Sequence, residues 1–382
     1  MANFKLGKWN LSELVDYPDS PAFKKKLDEI ELDVKKFEKN RHILSHGISE
    51  KKFLSILHAL EDISEKFSAI SGYASLGYSA DTQSDKATSL LTRMGKLGSE
   101  IENRTLFFDQ WWKKQIDEKN AQRLMKNSGM LKEFLRFKRL VAKYSLSEPE
   151  EKIINTLDVT GHSALVKLYD KITNSYKFTV KINGKARIYT REELTQFVRS
   201  PKANLREIAY KSLLTQYDNN KGVLGEIYQN IVLNWKDECI QIRGYKSPIS
   251  VRNIGNDVDD KTIESLLNVC RKNSEVFRKF FLLKARLLKV KKLRRYDIYA
   301  PVQKKEEKKY SYNDGVKLVL RTLNAFSPKL NDYAKKVFVE NHVDSEIRNG
   351  KRSGAFCSTI TPKITPYVLL NYKGRSNDVF TL

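Results

Sequence analysis

In "YKFTVKINGKARIYT", residues 176–190, the spacing of hydrophobic residues changes from the helical pattern found on either side. Phe178, Val180 and Ile182 alternate with polar residues, and Ile188 resumes the apolar side after Asn183-Gly184. Alternation with period two is the signature of a strand with one buried face. Asn-Gly between two such runs predicts a type I′ hairpin, because that turn needs positive φ at both central residues. The flanks do not alternate, so the expectation is a mainly α protein with a small β-hairpin set inside it.

Upstream, "SEPE" at 147–150 has the S-x-x-E spacing of a capping box, with Pro149 in the first turn where its missing N–H costs nothing. Three long amphipathic helices precede it. Phe23, Leu27, Ile30, Val34 and Phe37 form the stripe of the first, started by Ser20-Pro21. Phe53, Leu57, Leu60, Ile63, Phe67 and Ile70 form the second, and Leu90, Met94, Leu97 and Ile101 the third. Downstream, Thr190 and Glu193 form another capping box and helices resume. Leu205, Ile208 and Ala209 open one; Leu224, Ile227, Tyr228, Ile231, Trp235, Cys239 and Ile242 line another; a long third begins at Ile263. "KKEEKK" at 304–309 reads as a solvated loop or helix start, and no repeat of solenoid period is present. Near the C-terminus "SGAFCSTITPKITPYVLLNYKG" reads as two short strands, and Asn377-Asp378 as a helix start. The organisation expected is a helical hairpin or bundle over 1–115, a helical segment with the hairpin over 116–189, and a third unit over 190–382.

With 382 residues, 40% of them hydrophobic and 10% aromatic, the chain has the composition of a globular protein of two or three lobes. "FFLL" at 280–283 is far shorter than the roughly 20 apolar residues that span a bilayer, and "MANFKLGKWN" has no apolar signal core. A soluble, cytoplasmic protein is expected, with no membrane partner. Cys239, Cys270 and Cys357 make no C-x-x-C pair, so each is read as a buried small hydrophobe. The 70 basic and 46 acidic residues leave a net charge of +24, which attracts nucleic acid or other anions whatever the fold. In "RKFFLLKARLLKVKKLRR" at 278–295, nine of eighteen residues are Lys or Arg. Phe280, Leu283, Leu287 and Val290 make a core stripe there, so a solvated helix face is favoured over a nucleic-acid surface.

His42 and His46 have the i, i+4 spacing of a helical zinc pair, but "ILS" between them lacks the glutamate of H-E-x-x-H, and no third ligand is near. They read as partly exposed helix-end histidines, and His58 and His162 as structural ones. The chain has no G-x-S-x-G elbow, no phosphate loop and no dinucleotide fingerprint. No complete catalytic constellation is written in it, and none of its residues is read as a metal ligand.

Three stretches of the last third, "ARLLKVKKLRRYDIYAP" (285–301), "VDSEIRNGKRSGAF" (343–356) and "PYVLLNYKGRSNDVFTL" (366–382), resemble consecutive landmarks of oligoendopeptidase F. That family belongs to the thimet-oligopeptidase-like zinc metallopeptidases. "REELTQFVRSPKANLREIAYKSL" (191–213) resembles it too, so the likeness runs from about residue 115 to 382 and is strongest in the last hundred. It implies a multi-helical oligopeptidase-type fold with a short β-sheet near the C-terminus, and a third unit that is the N-terminal part of a catalytic domain. It also implies zinc-dependent hydrolysis of short flexible peptides. In the family the match to "DVFTL" leads into an H-E-x-x-H motif, so the one zinc ion and its ligands are expected C-terminal to Leu382. Residues 1–382 alone are then expected to be inactive. The substrate wall expected here is Gly354, Ala355 and Phe356, a strand that accepts an extended peptide on its free edge, with Tyr367 and Asn371 as further candidates. The alternatives are a basic helical nucleic-acid-binding protein and an inactive, peptide-binding paralogue. Oligomeric state is not legible.

Overall fold

Serine begins each of the three long N-terminal helices. The Oγ of Ser20 accepts from Phe23 N, that of Ser49 from Lys52 N and that of Ser84 from Ala87 N, satisfying N–H groups that a helix start leaves without partners. The structure, a computed structural model, describes residues 3–182, 184–302 and 308–382. Its elements run α1 (Pro21–Glu38), α2 (Glu50–Ala80), α3 (Asp85–Gln110), α4 (Glu118–Lys126), α5 (Lys132–Leu140), α6 (Glu148–Asp158) and α7 (His162–Asn174). The hairpin β1 (Phe178–Ile182) and β2 (Lys185–Tyr189) follows. Next come α8 (Arg191–Thr195), α9 (Ala203–Asn219), α10 (Lys221–Lys236), α11 (Pro248–Gly255), α12 (Asp260–Lys272), α13 (Ser274–Leu287), α14 (Tyr312–Phe326) and α15 (Pro328–Val339). The chain closes with β3 (Val343–Asp344), β4 (Phe356–Ser358), β5 (Tyr367–Leu369) and α16 (Ser376–Thr381).

The expected stripes of α1, α2 and α3 are the main core. Phe23, Ile30, Val34, Phe37, Phe53, Leu57, Ile63, Ile70, Leu90, Met94 and Ile101 are buried. An aromatic group of Phe37, Phe53, Phe107, Phe108, Trp111 and Trp112 fills the far end, and the Trp112 indole N–H donates to Leu135 O at 3.0 Å. Both capping boxes form, at Ser147/Glu150 and Thr190/Glu193. The hairpin pairs antiparallel from Phe178↔Tyr189 to Ile182↔Lys185, and Gly184 has φ +82°. Asn183 lies outside the described residues, as do 304–307 of the "KKEEKK" run. Phe178, Val180 and Tyr189 bury against α9 as a second small core. The C-terminal sheet has three strands rather than two, in the order β3-β5-β4, with β3 parallel and β4 antiparallel to β5.

Other expectations are corrected. The long helix from Ile263 is two, broken at Asn273. The stripe on α13 is not core: Phe280 is 52% exposed, Leu283 50% and Leu287 55%, because no described element covers that face. On the expected helix at 224–242, only Ile227 is buried, and α10 passes into a wider π-type turn over Asp237–Ile242. The cysteines are not buried: Cys270 and Cys357 are exposed and Cys239 is half-buried. Cys357 points outward because its neighbours Phe356 and Ser358 take the inner side of β4. His42 closes a 3₁₀ turn (Lys39–Ile43) and His46 lies in the loop beyond it, so the two share no helical face. His46 hydrogen-bonds to Asp117 instead. Among the described residues no helix is long and apolar enough to cross a membrane.

Candidate active-site wall

Strand β5 is central, so β4 keeps one side paired and the other open among the described residues. Its register is Phe356↔Leu369, Cys357↔Val368 and Ser358↔Tyr367. An open edge carries unpaired backbone donors and acceptors, which is the feature a strand-adding peptide needs. Gly354 and Ala355, just before the strand, are exposed. Phe356 is half-buried, its ring 6.3 Å from that of Trp9, so it forms the floor under the edge.

Gly354 is a fixed point rather than a free one. Its φ of +82° is the conformation that favours glycine. Its N–H donates to Glu192 Oε1 at 3.2 Å, and its carbonyl accepts from Asn371 Nδ2 at 3.0 Å, which also donates to Arg352 O at 3.2 Å. The other Glu192 oxygen accepts from Lys373 Nζ at 2.9 Å, and Lys373 Nζ also donates to Thr195 Oγ1 at 2.8 Å. Glu192, Asn371 and Lys373 therefore form a bracket that sets the entry to β4. The expectation of unpaired backbone groups at Gly354 is corrected, since both are taken, and Asn371 faces the chain itself.

Tyr367 is wholly buried, stacked on His342 at 4.0 Å and edge-on to Trp9 at 6.2 Å, and lies beyond reach of a peptide on the β4 edge. Burial raises its phenol above the usual range, and its hydroxyl has no hydrogen-bond partner. The central position of β5, whose Tyr367 and Leu369 face the main core, explains why a residue at a strand start is core here.

Beneath the bracket lies a buried charge cluster. Arg348 grips both oxygens of Asp344 at 2.7 and 2.6 Å. Lys351 Nζ contacts Asp344 Oδ1 at 2.7 Å and donates to the carbonyls of Asp344, Glu346 and Leu370 at 3.0, 2.7 and 2.7 Å. Burial pulls Lys351 down to about 8, against the attraction of Asp344. Four oxygens around one ammonium tie the 345–354 loop to the ends of β3 and β5, so the loop holds its shape without substrate. The carbonyl of Gly350 accepts from Thr82 N and Thr82 Oγ1, both at 2.8 Å, which anchors the loop to the α2–α3 turn.

Other stretches quoted from the sequence also meet in space. Arg206, from the 191–213 stretch, donates to Asp297 Oδ1 at 2.8 Å, and Asp297 belongs to the 285–301 stretch. Arg294 donates to Asp297 Oδ2 at 2.8 Å. Glu192 and Lys373 were not singled out from sequence. Both lie inside the quoted stretches, but the 162 positions between Glu192 and Gly354 hide the contact. Among the described residues no three His, Cys, Asp or Glu side chains converge as a metal site requires, so the residues present do not fit a zinc centre.

The chain matches Peptidase family M3 over residues 196–382 and Oligopeptidase F over residues 114–178. An oligoendopeptidase F homolog of Borreliella burgdorferi is 26% identical over 98% of this chain and 62% of its own length. The chromosomal oligoendopeptidase F of Lactococcus lactis subsp. cremoris is 24% identical over 98% and 62%. In fold, PZ peptidase A solved with an inhibitor superposes with a TM-score of 0.75 at 15% identity, over 99% of this chain and 62% of that one. Oligoendopeptidase-F from Enterococcus faecium gives 0.63 at 16% identity, over 84% and 65%. The chain thus spans about three-fifths of the length of the relatives it matches. From the two family matches and the agreement in fold, the chain belongs to peptidase family M3, in its oligoendopeptidase F group.

Proposed function

We propose that this chain works in a zinc-dependent endopeptidase that hydrolyses short flexible peptides, and that its own contribution is the wall on which the peptide backbone is read. The observation that carries this is the open edge of β4 beside a bracketed Gly354, in a chain of this family. An extended peptide laid on that edge exchanges main-chain hydrogen bonds at alternate residues. Side chains then matter little, which suits broad specificity. Ala355, small and exposed, leaves the approach clear.

In this reading a bound zinc supplies Lewis-acid activation of water and of the scissile carbonyl. The described residues offer no ligand set for it, and this reading puts the metal in the part of the family fold that this chain does not cover. Residues 1–382 alone are expected to retain no stoichiometric zinc and to cleave no peptide. Metal analysis and a quenched-fluorescence peptide assay check both, and a bound zinc with turnover would refute this assignment of roles.

The strand-addition test uses peptides N-methylated at alternate positions. Methylation at residues whose N–H faces β4 is expected to weaken binding about tenfold, as loss of main-chain hydrogen bonds does, while methylation in the other phase leaves it unchanged. Equal affinity for both phases would overturn the β4 assignment. The family match and the fold favour this reading over nucleic-acid binding.

A further inference from the structure

Between the end of α7, the start of α8 and the 348–353 loop lies a small cavity of about 20 Å³, space for one water molecule or one small ion. Tyr176, Arg191, Glu192, Arg348, Lys351 and Ser353 are on its lining. Tyr176 is only 7% exposed, and its hydroxyl is buried with no hydrogen-bond partner among the described residues. A buried hydroxyl left without a partner is uncommon and points to an occupant that the chain itself does not supply.

The charges on the lining decide which occupant fits. Arg348 and Lys351 share one carboxylate, that of Asp344, at 2.6 and 2.7 Å. Glu192, the only acid on the lining, gives one oxygen to the Gly354 N–H at 3.2 Å and the other to Lys373 at 2.9 Å. Arg191 is half-buried and has no carboxylate partner among the described residues. Its Nη1 donates to Tyr217 Oη at 3.2 Å and to Ser353 Oγ at 3.4 Å, and its other N–H groups make no hydrogen bond within the described chain. Tyr217 links the two unsatisfied groups, since its hydroxyl bonds Arg191 and its ring meets that of Tyr176 edge-on at 5.4 Å. Four cations therefore meet two carboxylates around the cavity. Charge held away from bulk water in this ratio favours a counter-ion over a neutral water.

We propose that the cavity binds one monovalent inorganic anion of the size of chloride, held between the Arg191 guanidinium and the Tyr176 hydroxyl. Burial keeps the Tyr176 phenol above its usual range, so at neutral pH it has a proton to donate. Tetrahedral oxyanions such as sulfate are too large for a space of this size. The ion would tie α8 to the same loop that Glu192 holds at Gly354, and so stiffen the approach to β4. No peptide enters the site, so the proposal stands or falls apart from strand addition.

Two measurements on the full chain test it. Crystals soaked in sodium bromide are expected to show an anomalous peak in the cavity, within hydrogen-bond reach of Arg191 and Tyr176. In solution, the melting temperature should rise saturably with sodium chloride when sodium gluconate, whose anion is too large to enter, holds the ionic strength constant. Tyr176→Phe should weaken the apparent chloride affinity about tenfold, the loss of one hydrogen bond to a charged ligand. In gluconate alone the same variant should melt no lower than the wild type, because it removes a hydroxyl that has no partner there. Arg191→Gln should abolish the chloride response, and its melt in gluconate shows that it folds. Density for water alone in the bromide soak, or a melting temperature indifferent to chloride, would overturn the proposal. So would a Tyr176→Phe loss of equal size in both salts, which means that a water satisfies the hydroxyl. A bromide peak with an unaltered chloride response in both variants would mark an adventitious ion only, and would overturn it as well.

Discussion

Helices α3 and α13 carry stripes of the same kind and meet different fates. On α3, Leu90, Met94 and Ile101 are each at most 9% exposed, held between α1, α2 and α6. On α13, Phe277, Phe280, Leu283 and Leu287 are 62, 52, 50 and 55% exposed. The same holds for Leu266 and Val269 of α12 and for Phe326 and Val339 near the ends of α14 and α15. An amphipathic period reports that a helix has an apolar face; it does not report what covers that face. The N-terminal bundle completes its core with its own helices and with Tyr367 and Leu369 of β5, whereas the described elements leave the α12–α15 arm uncovered. Apolar patches of this extent are unusual on a surface that faces only water.

Truncations on the two sides should therefore differ most of all. Trp112→Ala removes a side chain that stacks on Phe53 at 5.2 Å and bonds Leu135 O, and should cost about 3–5 kcal/mol of unfolding free energy. Phe280→Ala should cost well under about 1 kcal/mol, because half of that ring is already in water. Urea denaturation of both variants measures the contrast, and equal losses would break it. Where the arm is tied to the body the cost rises again. Arg206→Ala leaves the fully buried Asp297 with Arg294 as its remaining cation, and should cost about 2 kcal/mol, the loss of one charge-assisted hydrogen bond to a buried carboxylate.

How much was readable follows the same division. Stripes, caps and the hairpin register are local, and α1, α2, α3, the boxes at Ser147 and Thr190, and β1–β2 all stand where the spacing puts them. The C-terminal strands were visible as short runs, but their order was not. Only the order makes Tyr367 core and β4 an edge. Cys357 was misplaced for a related reason, since a three-residue strand gives too little alternation to phase its two faces. Glu192 escaped notice because its partners, Gly354 and Lys373, lie more than 160 positions away, and no spacing rule links an acid to a backbone N–H at that range.

The buried joint at Asp297 also gives the comparison a pH dependence. Although burial alone would raise its carboxyl, hydrogen bonds from Arg294 and Arg206 hold it down to about 2, against 3.8 unperturbed. A carboxyl whose folded pKa is depressed stabilises above its unfolded value, and that stabilisation fades as pH falls from about 4 toward 2. The difference corresponds to roughly 2 kcal/mol. Asp297→Asn should flatten this part of the stability profile, whereas a Trp112 variant should keep its full slope. The smallest effect belongs to the exposed face itself. Leu283→Lys should change unfolding free energy by no more than about 0.5 kcal/mol, yet lower the binding of a hydrophobic dye. Dye fluorescence alongside the melt separates the two quantities. A large loss of stability at Leu283 would mean that this face is packed in solution, and the contrast between bundle and arm would then be one of partners rather than of exposure.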